Sequence, residues 1–431
     1  MMDQIQNSLK IDKSDWKPVT FGDVVFEPKE AAKDLLSEGI EHVVGLEHID
    51  SENIHLRRSA SIDESTTFTK KFAVGDVLFG RRRAYLKKAA QASFAGICSG
   101  DITVFRTKGE LSPTLLPFIV QNERFIDYAI QHSAGGLSPR VKFKDLANYE
   151  FLLPPQAQQS ELAELLWAMD EVIEKASKVH ERLDQLFKVK AKLISNLSYK
   201  ESELYRIKEL CNIKDNLRVP LNSKQREKMV GDIPYYGANG RVGNVNKSIF
   251  DEDLVLLAED GGNFSEFYAK EIAYKVSGES WVNNHAHVLS MKDSSCSIDW
   301  LHFSLIHKNI TKHIIGTTRV KLNKSDLENI KIWVPPEDIR IPVEKEMLIL
   351  TQNRQLAKAK LVSSEGFNKS IIKAFPEIRG SYRRMPKELQ SRLVSDLKAL
   401  CDENKLIFQH CFRNIIHRNP LIQKNRVCPN K

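Results

Sequence analysis

The sequence predicts an α/β (α+β) protein: two mixed α/β domains joined by two long helices that form an antiparallel coiled coil, with an internal pseudo-two-fold repeat. Three observations carry this. A chain of 431 residues exceeds what one ordinary core fills, at roughly 100–200 residues per domain. A signature recurs: Arg140-Val141-Lys142, Asp145-Leu146-Ala147-Asn148 and Leu153-Pro154-Pro155 return as Arg319-Val320-Lys321, Asp326-Leu327-Glu328-Asn329 and Val334-Pro335-Pro336. Aligned on the two RVK triplets, the second copy carries two extra residues before its Asp-Leu. After each Pro-Pro comes a long stretch with apolar residues at helical spacing.

The first domain, 1–153, reads as strand-rich. Segments 41–49, 76–79, 101–106 and 149–153 are short strand-like runs bounded by Gly, Asp or Ser, and 112–132 has a helical pattern. A Pro-Pro pair cannot lie inside a helix, because each ring fixes φ and removes a donor, yet it suits the start of one. Pro154-Pro155 therefore opens a helix over 154–200. Its Leu165, Met169, Val172, Ala176, Val179, Leu183, Leu186, Lys190, Leu193 and Leu197 alternate steps of four and three, an a/d seam broken only by Lys190. At 1.5 Å per residue that seam is a rod of roughly 48 Å. The second domain, 201–334, repeats the order with strands at 253–258, 285–291 and 330–334 and a helix at 299–313. Pro335-Pro336 opens the distal helix, 335–375, whose seam runs through Val343, Met347, Leu350, Arg354, Ala357, Leu361, Ser364, Asn368, Ile371 and Phe375. Each domain also begins alike, with Gly22-Asp23-Val24-Val25 after Trp16 and Ile207-Lys208-Glu209-Leu210 after Tyr205. Two such helices in a duplicated chain favour pairing with each other, so that their length sets the distance between the arms. Residues 376–431 read as a basic helical extension.

The net charge of +8 suggests an anionic partner, but its distribution changes the meaning. Residues 376–431 hold 12 Lys and Arg against 5 Asp and Glu, or +7, which leaves +1 for the rest. An anion-binding site in the main body must therefore be a local patch. With 42% hydrophobic and 28% charged residues, no apolar run near the roughly 18 residues of a membrane span and no secretory leader at the start, an intracellular, cytoplasmic protein without a membrane role is expected. The six cysteines stand singly, which argues against a zinc module or a disulfide framework.

Candidate binding residues lie on loops. Gly80-Arg81-Arg82-Arg83-Ala84-Tyr85-Leu86-Lys87-Lys88 places Arg81, Arg82, Arg83, Tyr85, Lys87 and Lys88 after an apolar strand, and Arg140 and Lys142 belong to the repeated triplet. Arg offers a fork that bridges guanine O6 and N7, and Lys or Arg positions phosphates. In the second domain Asn239 and Arg241 sit in the turn-rich Tyr235-Tyr236-Gly237-Ala238-Asn239-Gly240-Arg241. Asn283, Asn284 and His285 follow Trp281, and Arg319 and Lys321 complete the second triplet. His285 and His287 share a strand face, but no third ligand is near in sequence, so structural or DNA-contact roles are preferred to a metal site.

Catalytic patterns are missing. The Pro-Pro segments lack the preceding Asn or Asp and the following aromatic of an amino-methyltransferase, and there is no P-loop. Glu259 and Asp260 could serve a metal-dependent nuclease, but the sequence does not place the companion lysine.

On these residues the chain resembles the specificity (S) subunit of type I restriction-modification systems. The resemblance covers about residues 16–375 and rests chiefly on 138–156, the helix from Leu165 to Leu197, 235–243, 281–288 and 316–336. It implies two target-recognition domains that read the halves of a bipartite double-stranded DNA site. It also implies two modification (methyltransferase) subunits docked on the helices, together with restriction/translocase subunits. The chain itself would be non-catalytic and bind no cofactor or metal, with S-adenosylmethionine, Mg2+ and ATP on the partner subunits. The alternatives are a stand-alone DNA methyltransferase or nuclease and a coiled-coil scaffold.

Overall fold

A computed structural model describes residues 13–62, 67–196, 202–316 and 320–374. Arg319, Leu197, Phe375 and the basic segment 376–431 lie outside the described residues. The described chain divides into two compact units, one taking 13–176 together with 360–374, the other taking 177–359.

In the first unit, strand Lys17–Thr20 pairs antiparallel with Glu150–Leu153, closing the domain's beginning onto its end. The one-turn helix Phe21–Val24 follows, and the Asp23 carboxylate accepts the Thr20 N–H at 3.0 Å. The central sheet brings Val25–Phe26, Ile102–Thr107, Val77–Gly80 and Ala89–Ala92 side by side. A second sheet gathers His42–Val44 with Gly96–Cys98 and Lys70–Phe72. The predicted helix over 112–132 is two helices, Leu116–Val120 and Glu123–Gln131, because Asn122 caps the second by accepting the Arg124 N–H at 2.9 Å. Phe21, Phe79, Phe105 and Phe125 pack together in the core.

The second unit repeats the plan. Glu203–Arg206 pairs with Lys331–Val334. The helix Ile207–Leu210 has Glu209 accepting the Arg206 N–H at 2.6 Å. Cys211–Ile213, Ala286–Met291, Leu254–Ala258 and Ala273–Val276 form the central sheet. The helix Ile298–Leu305 follows, with the buried Trp300 donating its indole N–H to Trp333 O at 2.8 Å. Phe21–Val24 thus matches Ile207–Leu210, one residue earlier than the sequence pairing of Gly22 with Ile207.

The prolines stand where expected: the long helices are Gln156–Asn196 and Glu337–Ala374. In the second unit their seams meet, with Leu183, Phe187, Ala191, Ile194, Val343, Met347, Leu350 and Ala357 in one cluster. Lys190, the polar break, is paired with Glu346 across the helices at 2.7 Å. Arg354 lies over the Phe187 ring and pairs with Asp184 at 3.0 Å. In the first unit Leu165, Leu166 and Met169 enter the domain core, with Ile372 packed against it.

One seam position departs from expectation. Leu193 is 45% exposed, whereas Ile194 is buried. A straight helix drifts about 20° per heptad from a 3.5-residue repeat. Over the four heptads from Leu165 to Leu193 the drift is about 80°, close to the ~100° step of one residue, so the buried stripe moves from 186, 190, 193 toward 187, 191, 194.

Candidate nucleic-acid interface

Two strand ends build the corner of the first arm. Gly80, the last residue of its strand, faces Ile102, the first of the next. Arg81 N–H donates to Asp101 O at 2.9 Å, and Val141 N–H donates to Arg81 O at 3.1 Å. The loop from Gly80 therefore runs between the Asp101 turn and the segment that carries Arg140. Asp101 gathers cations here: Arg140 Nε lies 2.7 Å from its Oδ1, and Arg82 Nη1 3.3 Å from its Oδ2. Arg82 also donates to Ser138 Oγ at 3.1 Å. These arginines, Arg140 foremost, hold the Asp101 carboxyl below the usual carboxylate range against the opposing effect of partial burial.

The loop is strained at this corner. Arg83 and Lys87 adopt left-handed φ of 55° and 51° on either side of the turn Ala84–Leu86, and Glu52, at 56°, bonds the same stretch. These three are the only non-glycine residues with positive φ among the described residues. Each such residue costs of order 1 kcal/mol, and strain of this kind collects at functional sites. Backbone bonds Arg83 N to Pro139 O and Glu52 N to Lys87 O hold it. The remaining predicted residues are displayed differently. Tyr85 is 52% exposed, Lys87 pairs with Glu52 at 3.0 Å, and Lys88 donates to Leu46 O at 2.6 Å. Lys142 is exposed at the start of the helix Phe143–Leu146.

The second arm builds the same corner with other side chains. Ala258 faces Ala286 as Gly80 faces Ile102, and Leu322 N–H donates to Glu259 O as Val141 donates to Arg81 O. Glu259 thus stands where Arg81 does, Asp260 for Arg82, His285 for Asp101 and Lys321 for Arg140. The backbone bridges agree, Arg82 with Arg140 and Asp260 with Lys321. The two RVK triplets are therefore two residues out of spatial register. Lys321, not Arg319, matches Arg140, and both copies then reach Asp-Leu after the same interval, with no insertion.

Around Asp260 the structure gathers several predicted residues. His285 Nδ1 lies 2.6 Å from Asp260 Oδ1, Asn283 Oδ1 accepts the His285 N–H at 2.8 Å, and Asn239 donates to Gly261 O at 2.9 Å. Asn239, Asn284 and Arg241 are exposed, the last bonded to Asn244, whereas Asn283 is buried. Beneath them lies a network that sequence reasoning missed. His287, 1% exposed, places Nδ1 2.6 Å from Asp215 Oδ2 and Nε2 2.8 Å from Leu322 O. Arg218 bonds Glu259 at 2.7 Å, and Lys321 bonds it at 2.9 Å. Burial works to raise the Asp215 and Glu259 carboxyls. His287, Arg218 and the Val288 N–H outweigh it for Asp215, and Lys321, Arg218 and His287 do so for Glu259, so both sit below their ordinary values.

Asp215, Glu259 and His287 bring one ligand atom each within 4.8 Å of one another, a spacing that could hold a cation. Both His287 nitrogens are committed to oxygen partners, and Arg218 and Lys321 already supply positive charge to the carboxylates. The arrangement is an ion-pair network by the chemistry of its partners. The lysine the sequence could not place beside Glu259 is Lys321. The signals missed in the first arm, Asp101 and Ser138, were single polar residues at a strand end and in a turn, where such residues are common.

Residues 199–352 match the family model described as type I restriction modification DNA specificity domain. The chain is 34% identical over 151 residues to a putative type I restriction enzyme specificity subunit of Haemophilus influenzae, covering 35% of this chain and 38% of that relative. It is 29% identical over 116 residues to the type I restriction enzyme EcoDI specificity subunit of Escherichia coli, covering 26% of each. The matches thus span about two fifths and a quarter of those relatives' lengths. The fold resembles that of the crystallised type I restriction-modification S subunit from M. genitalium, with a TM-score of 0.62 at 16% identity over 86% of this chain and 99% of that one.

Proposed function

We propose that this chain, whose second arm matches the type I specificity-domain model and whose fold resembles that of a solved S subunit, is a specificity subunit of that family and reads a double-stranded DNA target in two halves, one per arm. The observation that carries this is the repeated corner. Both arms expose side chains at the same two strand ends of one scaffold, yet the side chains differ at each matched position. A reader of two unlike half-sites needs that combination, because the scaffold fixes position and the side chains select bases. On this reading Arg81, Arg82, Arg83, Tyr85, Lys87, Lys88, Arg140 and Lys142 serve the first half. Asn239, Arg241, Asn283, Asn284, His285, Arg319 and Lys321 serve the second, with Asn283 and His285 acting through the loop they brace. The arms, 1–153 and 201–334, are target-recognition domains, and the paired helices are the spacer that fixes the gap and the platform for two modification subunits. Methyl transfer and ATP-driven cleavage belong to partner subunits.

The test is methylome sequencing of a host that expresses the chain with its modification subunit, beside a host with the modification subunit alone. Methyladenine at a two-part motif of fixed gap, present only with the chain, is the expected result. Methylation without the chain, or by the chain unaided, rules the reading out.

A further inference from the structure

We propose that Asp101 is a specificity-determining positioning residue of the first arm: its carboxylate locks Arg82 and Arg140 into one arrangement, so that the arm offers DNA a defined fork rather than mobile positive charge. The inference rests on the DNA-reading function proposed above and adds to it the residue that separates specific from indiscriminate binding.

Three observations support it. Arg82 and Arg140 keep 37% and 44% of their side-chain surface exposed while Asp101 keeps 20%. The carboxylate is thus the inner member of the cluster, and the two arginine side chains keep more of their surface open. Arg140 approaches both carboxylate oxygens, through Nε at 2.7 Å and Nη2 at 3.4 Å, an orientation-fixing contact that a lysine cannot make. Ser138 Oγ then accepts from Arg82 at 3.1 Å and Arg83 at 3.5 Å, tying the fan to the turn before Arg140. The second arm supplies an internal comparison. At the positions of Arg82 and Asp101 it carries Asp260 and His285, joined at 2.6 Å. At this pair the polarity is exchanged and the pairing is kept, and the matched cations Arg140 and Lys321 are each held by a carboxylate, Asp101 and Glu259, so the feature common to both corners is a side chain held by its partner across the strand ends.

A free arginine reaches any phosphate, and each added phosphate contact steepens the salt dependence of log K by about 0.9. An arginine held in place reaches only the base edge or phosphate that its geometry allows. Asp101→Asn removes the charge that holds both arginines while preserving side-chain size.

The experiment uses the full chain in complex with its modification subunit. The bipartite motif is first read from the methylome of a host carrying the wild-type complex. Binding is then measured across a salt series on a duplex bearing that motif and on one with its first half scrambled. D101N is expected to lower the preference for the true first half by about tenfold, the scale of one lost base contact. It should also bind the scrambled duplex with a salt slope steeper by about 1 or 2, and its methylome should show a degenerate first half beside an unchanged second half. Arg140→Lys keeps the charge without the two-nitrogen contact and should degrade the same half; it decides the matter if D101N yields no complex. Preference within about twofold of wild type together with an unchanged salt slope overturns the proposal, as does equal loss of both halves, the mark of a folding defect. If the wild-type complex methylates no two-part motif, the failure lies in the DNA-reading function itself.

Discussion

In the first arm the strand-end corner is built around one carboxylate, Asp101, among Arg81, Arg82, Arg83 and Arg140. In the second the matching corner holds Asp215, Glu259 and Asp260 among Arg218, His285, His287 and Lys321. The strand register beneath is the same, so the backbone does not depend on the sign of these charges. What differs is depth. At this corner the first arm keeps the Asp101 ion pairs partly exposed and strains the loop, with Arg83 and Lys87 in left-handed conformations. The second sinks a charged network under its loop, with His287 1% exposed.

The sharpest break of this comparison is at one matched strand position, His287 in the second arm and Thr103 in the first. His287→Ala removes a buried partner of Asp215 and the hydrogen bond to Leu322 O. The second arm should lose about 3 kcal/mol, the scale of a broken buried pair. Thr103 Oγ1 is buried without a hydrogen-bond partner among the described residues, so Thr103→Val should change the first arm by less than about 1 kcal/mol. Arm-resolved hydrogen exchange under urea measures both, and equal losses would show that the two corners do not differ in depth.

Acid sharpens the comparison at smaller scale. Burial holds His302 of the second arm at about 4, against an ordinary 6.5. Its folded value is depressed, so the unfolded chain takes up the proton first, and stability falls as pH drops from about 6.5 toward 4. The expected loss by pH 5 is about 1 to 2 kcal/mol. Asp215, Glu259 and Asp101 are depressed acids, whose stabilisation is present above the ordinary carboxylate range and is lost only as pH falls through their still lower folded values. Hydrogen exchange at pH 5 should therefore show the second arm opening before the first; simultaneous opening would contradict this account.

The smallest effect is expected at Lys142, exposed and outside the arginine cluster. Lys142→Ala should leave stability within about 0.5 kcal/mol. If the residue positions a phosphate, it should reduce the salt slope of DNA binding by about 0.9, equally for the true and scrambled first half. An unchanged slope would remove Lys142 from the interface.

Much of the architecture was legible because it depends on near-neighbour chemistry. Pro154-Pro155 and Pro335-Pro336 mark helix starts through their rings alone, and Gln156–Asn196 and Glu337–Ala374 begin directly after them. Strands such as Leu254–Ala258 announce themselves as short apolar runs, and the duplication of these elements in order is a property of the string. Leu193 was misplaced because a heptad count ignores a drift that grows with helix length. The RVK triplets misled because identical letters were matched, whereas the space they fill is set by the Glu259 and Arg81 carbonyls, which choose Leu322 and Val141.

The sequence by itself determined the repeated α/β units, the long helices and the loops on which Arg, Asn and Tyr are displayed, because periodicity and backbone restriction act over a few residues. Only the tertiary structure decided that Asp101 gathers Arg82 and Arg140, that Lys321 meets Glu259, and that His287 lies between Asp215 and Leu322. Those partners are separated in the chain by between 19 and 72 residues. Coulombic and hydrogen-bond partners at such separations are chosen by sheet register and by the cost of burying an unpaired charge, neither of which is local.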